Sequence, residues 1–139
     1  MTETLLPAAV DTAALSPLAL AFIGDTVFDL LVRGELLSRA NQPVSALHQQ
    51  ATRRVCAAAQ AASASALLPL LTEEETAVFK RGRNAHPGGI PKHASAADYH
   101  YATGLECLFG WLYLRGELAR IRLLFDAIPR EGGQTDAEK

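Results

Sequence analysis

Two carboxylates sit where the surrounding sequence offers them nothing. Asp25 lies in Leu18-Ala-Leu-Ala-Phe-Ile-Gly-Asp-Thr-Val-Phe-Asp-Leu-Leu-Val32, and Glu106 in Thr103-Gly-Leu-Glu-Cys-Leu-Phe-Gly-Trp-Leu-Tyr-Leu114. Both stretches read as apolar helices interrupted by glycine, which costs about 1 kcal/mol relative to alanine in a helix interior. A carboxylate among such neighbours loses hydration unless a cation or a hydrogen-bonding partner replaces it. One helical turn either side of Glu106 stand Ala102, Thr103, Phe109 and Gly110, none able to pair a charge. Two such acids on two helices of one small core are expected to converge. Magnesium suits that arrangement, because it takes oxygen ligands, often only one or two carboxylates, and keeps several waters. The hydrated ion can supply a hydroxide nucleophile and polarise a phosphoryl oxygen. Two plainer readings stand beside this one. Asp25 and Asp29 could share a solvated face with Arg33 one turn on, or the two acids could be neutralised by arginine or by protonation.

Between these helices runs a basic segment. Lys80, Arg81, Arg83, Asn84 and Lys92 are donors, His86, His93 and His100 add to them, and only Asp98 opposes. Guanidinium groups bind phosphate oxygens bidentately, so this composition suits contact with a phosphate backbone. The histidines are spaced by seven with no cysteine nearby, a poor zinc pattern. A merely solvated basic loop is the alternative.

The elements that must position these groups are helical. The chain has 139 residues, 49% hydrophobic and 20% charged, with net charge −2, which fits one soluble globular domain with a single core. Any nucleic-acid partner must therefore meet a local basic patch. No signal peptide and no membrane-length apolar run is present, and Cys56 and Cys107 are too isolated for a disulfide framework, so the expected location is cytoplasmic. Residues 1–15 read as an arm, 16–128 as the domain and 129–139 as a polar tail. Ser16-Pro17 starts a first helix to about Ser38, and Asn41-Gln-Pro43 breaks it. Ser45 caps a second helix, expected to continue through the small-residue run Ala57–Ala66 to about Leu68. Thr72-Glu-Glu-Glu75 fits a capping box for a third, ending near Arg83. Residues 84–94 form a loop with two glycines and two prolines. A fourth helix opens at Ser95, Gly116 punctuates, and a fifth runs from Glu117 to Ile128. No segment alternates like a strand, so the fold class is all-α. Phe109, Trp111 and Tyr113 could stack bases, but at helical spacing they fit a core or dimer contact better.

The same residues resemble the ribonuclease III catalytic domain, and most closely the short mini-ribonuclease III family. The ribonuclease III signature reads Glu-x-x-Glu-Phe-Leu-Gly-Asp in one helix and Asp-x-x-Glu-Ala in a later one. Phe22-Ile23-Gly24-Asp25 keeps the second half of the first, and Glu106 is the acid of the second. Leu18, Ala21 and Thr103 stand where the larger enzymes carry carboxylates, and the mini family is similar in lacking them. Leu47-His48, Lys80-Arg-Gly-Arg-Asn-Ala85, Pro91-Lys92 and Tyr101-Ala-Thr103 extend the match over roughly residues 16–128. His86-Pro-Gly-Gly89 and Gly104-Leu105 depart from the family pattern.

The resemblance implies a ribonuclease III-like helical bundle acting as a homodimer. Its expected activity is magnesium-dependent endonucleolytic cleavage of double-stranded RNA, maturing the ends of the 23S ribosomal RNA precursor. Asp25 and Glu106 would be the catalytic metal ligands. Lys80, Arg81, Arg83, Asn84, His86 and Lys92 would contact the RNA, read by phosphates, 2′-hydroxyls and shape. The alternative is a non-catalytic module that binds double-stranded RNA or assists ribosome assembly with the same fold, motivated by the three missing acids. A helical scaffold without RNA would leave the basic segment unexplained.

Overall fold

A computed structural model describes residues 5–6, 9–85 and 95–130. The described residues form six α-helices: α1 Pro17–Arg39, α2 Val44–Val55, α3 Ala57–Leu67, α4 Glu73–Arg83, α5 Ala96–Leu114 and α6 Leu118–Ala127. No strand occurs among the described residues, as the periodicity implied.

Local chemistry sets most of the boundaries. The Ser16 hydroxyl accepts from the Ala19 N–H ahead of Pro17. Thr72 and Glu75 form the reciprocal capping box, and the Ser95 hydroxyl accepts from the Asp98 N–H. Gly116, at φ 73°, turns the chain from α5 into α6, a conformation that favours glycine.

The expected single helix from Ser45 to Leu68 is two helices. Cys56, with ψ 158°, stands between them, closing α2 through its N–H to Thr52 and opening α3 by accepting from the Gln60 N–H. The reason lies outside the segment: α2 packs against α1, whereas α3 packs against α5, and one straight rod cannot follow both. Ser45 is also not the cap. Pro43 precedes the first turn, its carbonyl accepting from the Leu47 N–H, and no side chain caps α2.

Helix α5 is the centre, with α1, α3, α4 and α6 packed around it. From Ala102 to Leu112 every residue except Glu106 is buried. A helix apolar on all sides must be enclosed, and this one is. Phe109 and Trp111 therefore belong to the core, and Tyr113 packs against it. Phe28 of α1 joins Phe109 and Phe125 by edge-to-face contacts with centroids 5.5 and 5.7 Å apart.

The crossing of α1 and α5 has no side chain between the backbones. A Cβ on Gly24 would lie 1.6 Å from the Glu106 carbonyl oxygen, and one on Gly110 would lie 2.0 Å from the Leu20 carbonyl oxygen. The obstructing atoms are helical backbone and cannot rotate aside. Gly34, further along α1, meets nothing within 4 Å. Gly24→Ala and Gly110→Ala are each expected to lower unfolding free energy by about 3 kcal/mol or more. Gly34→Ala should raise it by about 0.5–1 kcal/mol through helix propensity alone. Urea unfolding monitored by circular dichroism separates the two signs.

Candidate functional site

Gly24 is the residue before Asp25, and the backbone it touches belongs to Glu106. The close crossing therefore brings the two carboxylates to one place, as their shared anomaly in the sequence suggested. They lie near enough for Asp25 to act on Glu106 both through its charge and as a hydrogen-bond partner. Asp25 is exposed and Glu106 partly buried, so the pair opens at the surface from a foothold in the core.

The electrostatics of the pair are unfavourable as it stands. Burial, and then the Asp25 charge, push the Glu106 carboxyl up to about 8, against a smaller opposing effect of the Gln60 amide. Neither acid has an ion-pair partner among the described residues. Arginine thus does not neutralise them, and without a cation the pair keeps a proton instead. Of the solvated-face alternative, the Asp29–Arg33 pair is present at 2.9 Å, and Asp25 shares the exposed face without an ion-pair partner among the described residues.

Gln60 is a residue that sequence reasoning missed. It is 2% exposed on α3, the buried polar side chain nearest in effect to Glu106, and its Nε2 has no hydrogen-bond partner of full geometry. A buried amide with an unused donor beside a carboxylate can steady that carboxylate's ionised form. The available signal was a lone glutamine in the run Ala57-Ala-Ala-Gln-Ala-Ala62.

The donor set fits a divalent cation that prefers oxygen. Two carboxylates on different helices, one exposed and one held against its ordinary ionisation, would be relieved by such an ion. No larger cluster of histidine, cysteine and acidic side chains occurs among the described residues, so water would complete the coordination.

The basic turn is adjacent. Lys80, Arg81, Arg83 and Asn84 occupy the last turn and cap of α4, where cations also meet the negative end of the helix dipole. Gly82 packs that turn against α5: a Cβ there would fall 2.5 Å from the Cys107 Cβ, one residue beyond Glu106. Lys80, Arg81 and Asn84 are exposed, and the Arg83 guanidinium donates to the Asn84 side chain at 3.1 Å. His86 and Lys92 lie outside the described residues. Phe22, on the turn before Asp25, is 84% exposed.

Two of the three positions without an acid have other duties. Ala21 is buried, and the Thr103 hydroxyl donates to the Tyr99 carbonyl at 3.0 Å. Both cysteines are free thiols, and no described helix is long and apolar enough to cross a membrane.

Comparison with known proteins agrees with this geometry. The ribonuclease III domain family matches residues 18–117. Mini-ribonuclease 3 of Thermoanaerobacter is 44% identical over 113 residues, covering 81% of this chain and 80% of that protein. Its counterpart from Symbiobacterium thermophilum is 46% identical, covering 81% and 87%, and that from Enterococcus faecalis is 38% identical, covering 91% and 97%. A crystal structure of a Fusobacterium nucleatum protein superposes with a TM-score of 0.76 at 27% identity, covering 84% of this chain and 93% of that one. A glycine-enforced helix crossing, a carboxylate pair beside it and relatives of matching length converge on one conclusion: the chain belongs to the mini-ribonuclease 3 family of ribonuclease III-domain endoribonucleases.

Proposed function

We propose that the protein is a magnesium-dependent endonuclease for double-stranded RNA, acting as a cytoplasmic homodimer in which each Asp25–Glu106 pair cuts one strand. Its natural substrate on this reading is the 23S ribosomal RNA precursor, whose ends it matures. The observation that carries the reading is the convergence of Asp25 and Glu106 with no cationic side chain among the described residues to neutralise them.

Asp25 and Glu106 would hold the ion. Bound there, magnesium supplies Lewis-acid polarisation of a phosphoryl oxygen and lowers the pKa of water toward neutrality. The protein's own contribution is positional. With a cation held there, Glu106 would be ionised, and Gln60 would steady its carboxylate from the core side. Lys80, Arg81, Arg83 and Asn84 meet phosphates flanking the scissile bond, and His86 and Lys92 extend that basic segment in sequence. The exposed Phe22 and Leu18, four residues apart on one face of α1, supply an apolar patch beside the site that suits a second copy of the chain. Two copies would present two basic turns to one duplex, whose A-form surface is read through phosphates and 2′-hydroxyls.

A binding-only reading draws on Leu18, Ala21 and Thr103, which leave the centre with two carboxylates. The two readings part on a labelled RNA duplex incubated with magnesium or with chelator. Magnesium-dependent double-strand cuts, lowered at least about a hundredfold by Asp25→Asn or Glu106→Gln, are expected from the loss of transition-state charge stabilisation. An intact duplex under every condition, with RNA still bound, would establish the binding module.

The Glu106 carboxyl also sets a pH signature. Its folded pKa, about 8, is raised above the ordinary 4.5, so its contribution to stability is full below about pH 4.5 and is lost as pH rises through about 8. In chelator, Glu106→Gln should lose less unfolding free energy than the wild type between about pH 5 and about pH 8. Magnesium should stabilise the wild type more at the higher pH and leave the variant unchanged. Parallel pH slopes for the two proteins would remove Glu106 from the coupled pair.

Replacing Arg81 or Arg83 by alanine is expected to weaken duplex binding and reduce the slope of log affinity against log salt by about 1 for each phosphate no longer neutralised. An unchanged slope in a direct titration would take the α4 turn out of the interface.

A further inference from the structure

Helix α3 packs on α5 through an edge of mostly small residues, and the one large polar side chain in that edge is Gln60. Gln60, Ser63, Ala64 and Leu67 are all buried, at the i, i+3, i+4 and i+7 spacing of a core-facing stripe. Such a position ordinarily holds an apolar residue.

The other buried polar side chains among the described residues make hydrogen bonds. The Ser63 hydroxyl donates to the Ala59 carbonyl and that of Thr103 to the Tyr99 carbonyl. Glu75 accepts twice from Arg120, and Arg130 donates to Glu35. Gln60 differs. Its Nε2 is closed off from solvent and meets no acceptor in full hydrogen-bond geometry among the described residues, yet it lies close enough to act on the Glu106 carboxylate as a donor.

That arrangement works against the fold. A buried donor without its hydrogen bond lowers native-state stability, whereas an apolar side chain of the same shape carries no such penalty. Helix propensity does not favour glutamine either, since leucine and methionine are its near equals. Packing and local structure both argue for another residue at this position, and conflicts of that kind mark functional positions.

The carboxylate centre has a use for a fixed donor. Ala21 and Thr103 bring no carboxylate to it, so the orientation of Asp25 and Glu106 decides whether they share one cation. The last torsion of a glutamate is broad, so an unheld carboxylate turns freely. Within a turn of Glu106 the only hydroxyl on α5 is that of Thr103, and it is committed to Tyr99. Gln60 reaches the carboxylate from a third helix, and groups that orient a ligating carboxylate typically change cation affinity or activity about 10–100-fold.

We infer that Gln60 is the positioning residue of the centre: its amide holds the Glu106 carboxylate facing Asp25, and the chain keeps it there against its own stability. This rests on the reading of Asp25 and Glu106 as a cation site. At 2% exposure Gln60 does not touch RNA.

The test compares full-length wild type with Gln60→Met, Gln60→Leu, Ser63→Ala, Asp25→Asn and Glu106→Gln. Thermal unfolding in chelator is read beside manganese titration without RNA, the free ion being counted by electron paramagnetic resonance. Manganese is the probe because it shares the preference of magnesium for oxygen ligands. Both Gln60 variants are expected to raise Tm by about 2–5 °C. They should also weaken manganese binding at least about tenfold. On a labelled duplex kcat should fall at least about tenfold with KM within about twofold, as for a group that acts on the chemical step and not on RNA binding. Ser63→Ala, on the same stripe, should bind manganese as the wild type does. A glutamine that serves only the core gives the opposite signature, a lower Tm with manganese affinity unchanged. Either a lower Tm in both Gln60 variants or an unchanged manganese affinity overturns the inference. If Asp25→Asn and Glu106→Gln abolish manganese binding while Gln60→Met retains it, the cation site stands and only the role of Gln60 falls. If manganese binds every variant alike, the cation site falls and the inference with it.

Discussion

The α1–α5 crossing is a contact of backbone on backbone, and most of what matters in this protein depends on it. At Gly24 and Gly110 there is no space for even a methyl group. Helices packed through side chains sit about 8–10 Å apart, and glycines let them approach more closely. Gly24 lies in sequence beside Asp25, and the atom against it is the carbonyl of Glu106. The contact that sets the core therefore also sets the spacing of the two acids. A glycine that looks like a defect in an isolated helix is a requirement of the assembled one.

The protein treats its buried acids in two opposite ways. Arg120 donates twice to Glu75, at 2.8 and 2.7 Å, and holds its carboxyl below the ordinary range. Burial pushes the Glu35 carboxyl up, but hydrogen bonds from Arg54 and Arg130 outweigh it and leave the group lowered. Both acids tie helices together and are ionised at neutral pH. Glu106 receives no arginine; burial and a second carboxylate raise it instead. The chain has arginines to spend on structural acids, so leaving this pair without one sets it apart. Perturbed acids that are unfavourable as they stand are where catalytic and cation-binding roles concentrate. That contrast is the electrostatic basis for the proposed centre.

Placement of the basic residues follows from the same packing. Gly82 and Gly104 bring α4 against α5, with the Phe79 ring over Gly104, so the cationic last turn of α4 lies level with Glu106. The arginines around Glu35 are drawn instead from α1, α2 and the segment after α6. Two cationic regions thus arise by different routes: one contiguous in sequence and exposed, the other assembled across the fold and recessed.

What the sequence determined by itself is what local interactions decide. Caps at Ser16, Thr72 and Ser95 act across three residues, and Gly116 acts on its own backbone, so these boundaries were legible. The carboxylates in apolar helices were legible too, because an unfavourable residue type stands out wherever its partner is. The tertiary structure decided the rest. Cys56 breaks a continuous helical pattern because α2 and α3 must follow different neighbours. Gln60 gains its place only when α3 docks beside Glu106, and Glu35 meets Arg130 across 95 positions of chain. Each of these depends on surfaces brought together from distant parts of the chain, whose geometry no local pattern encodes.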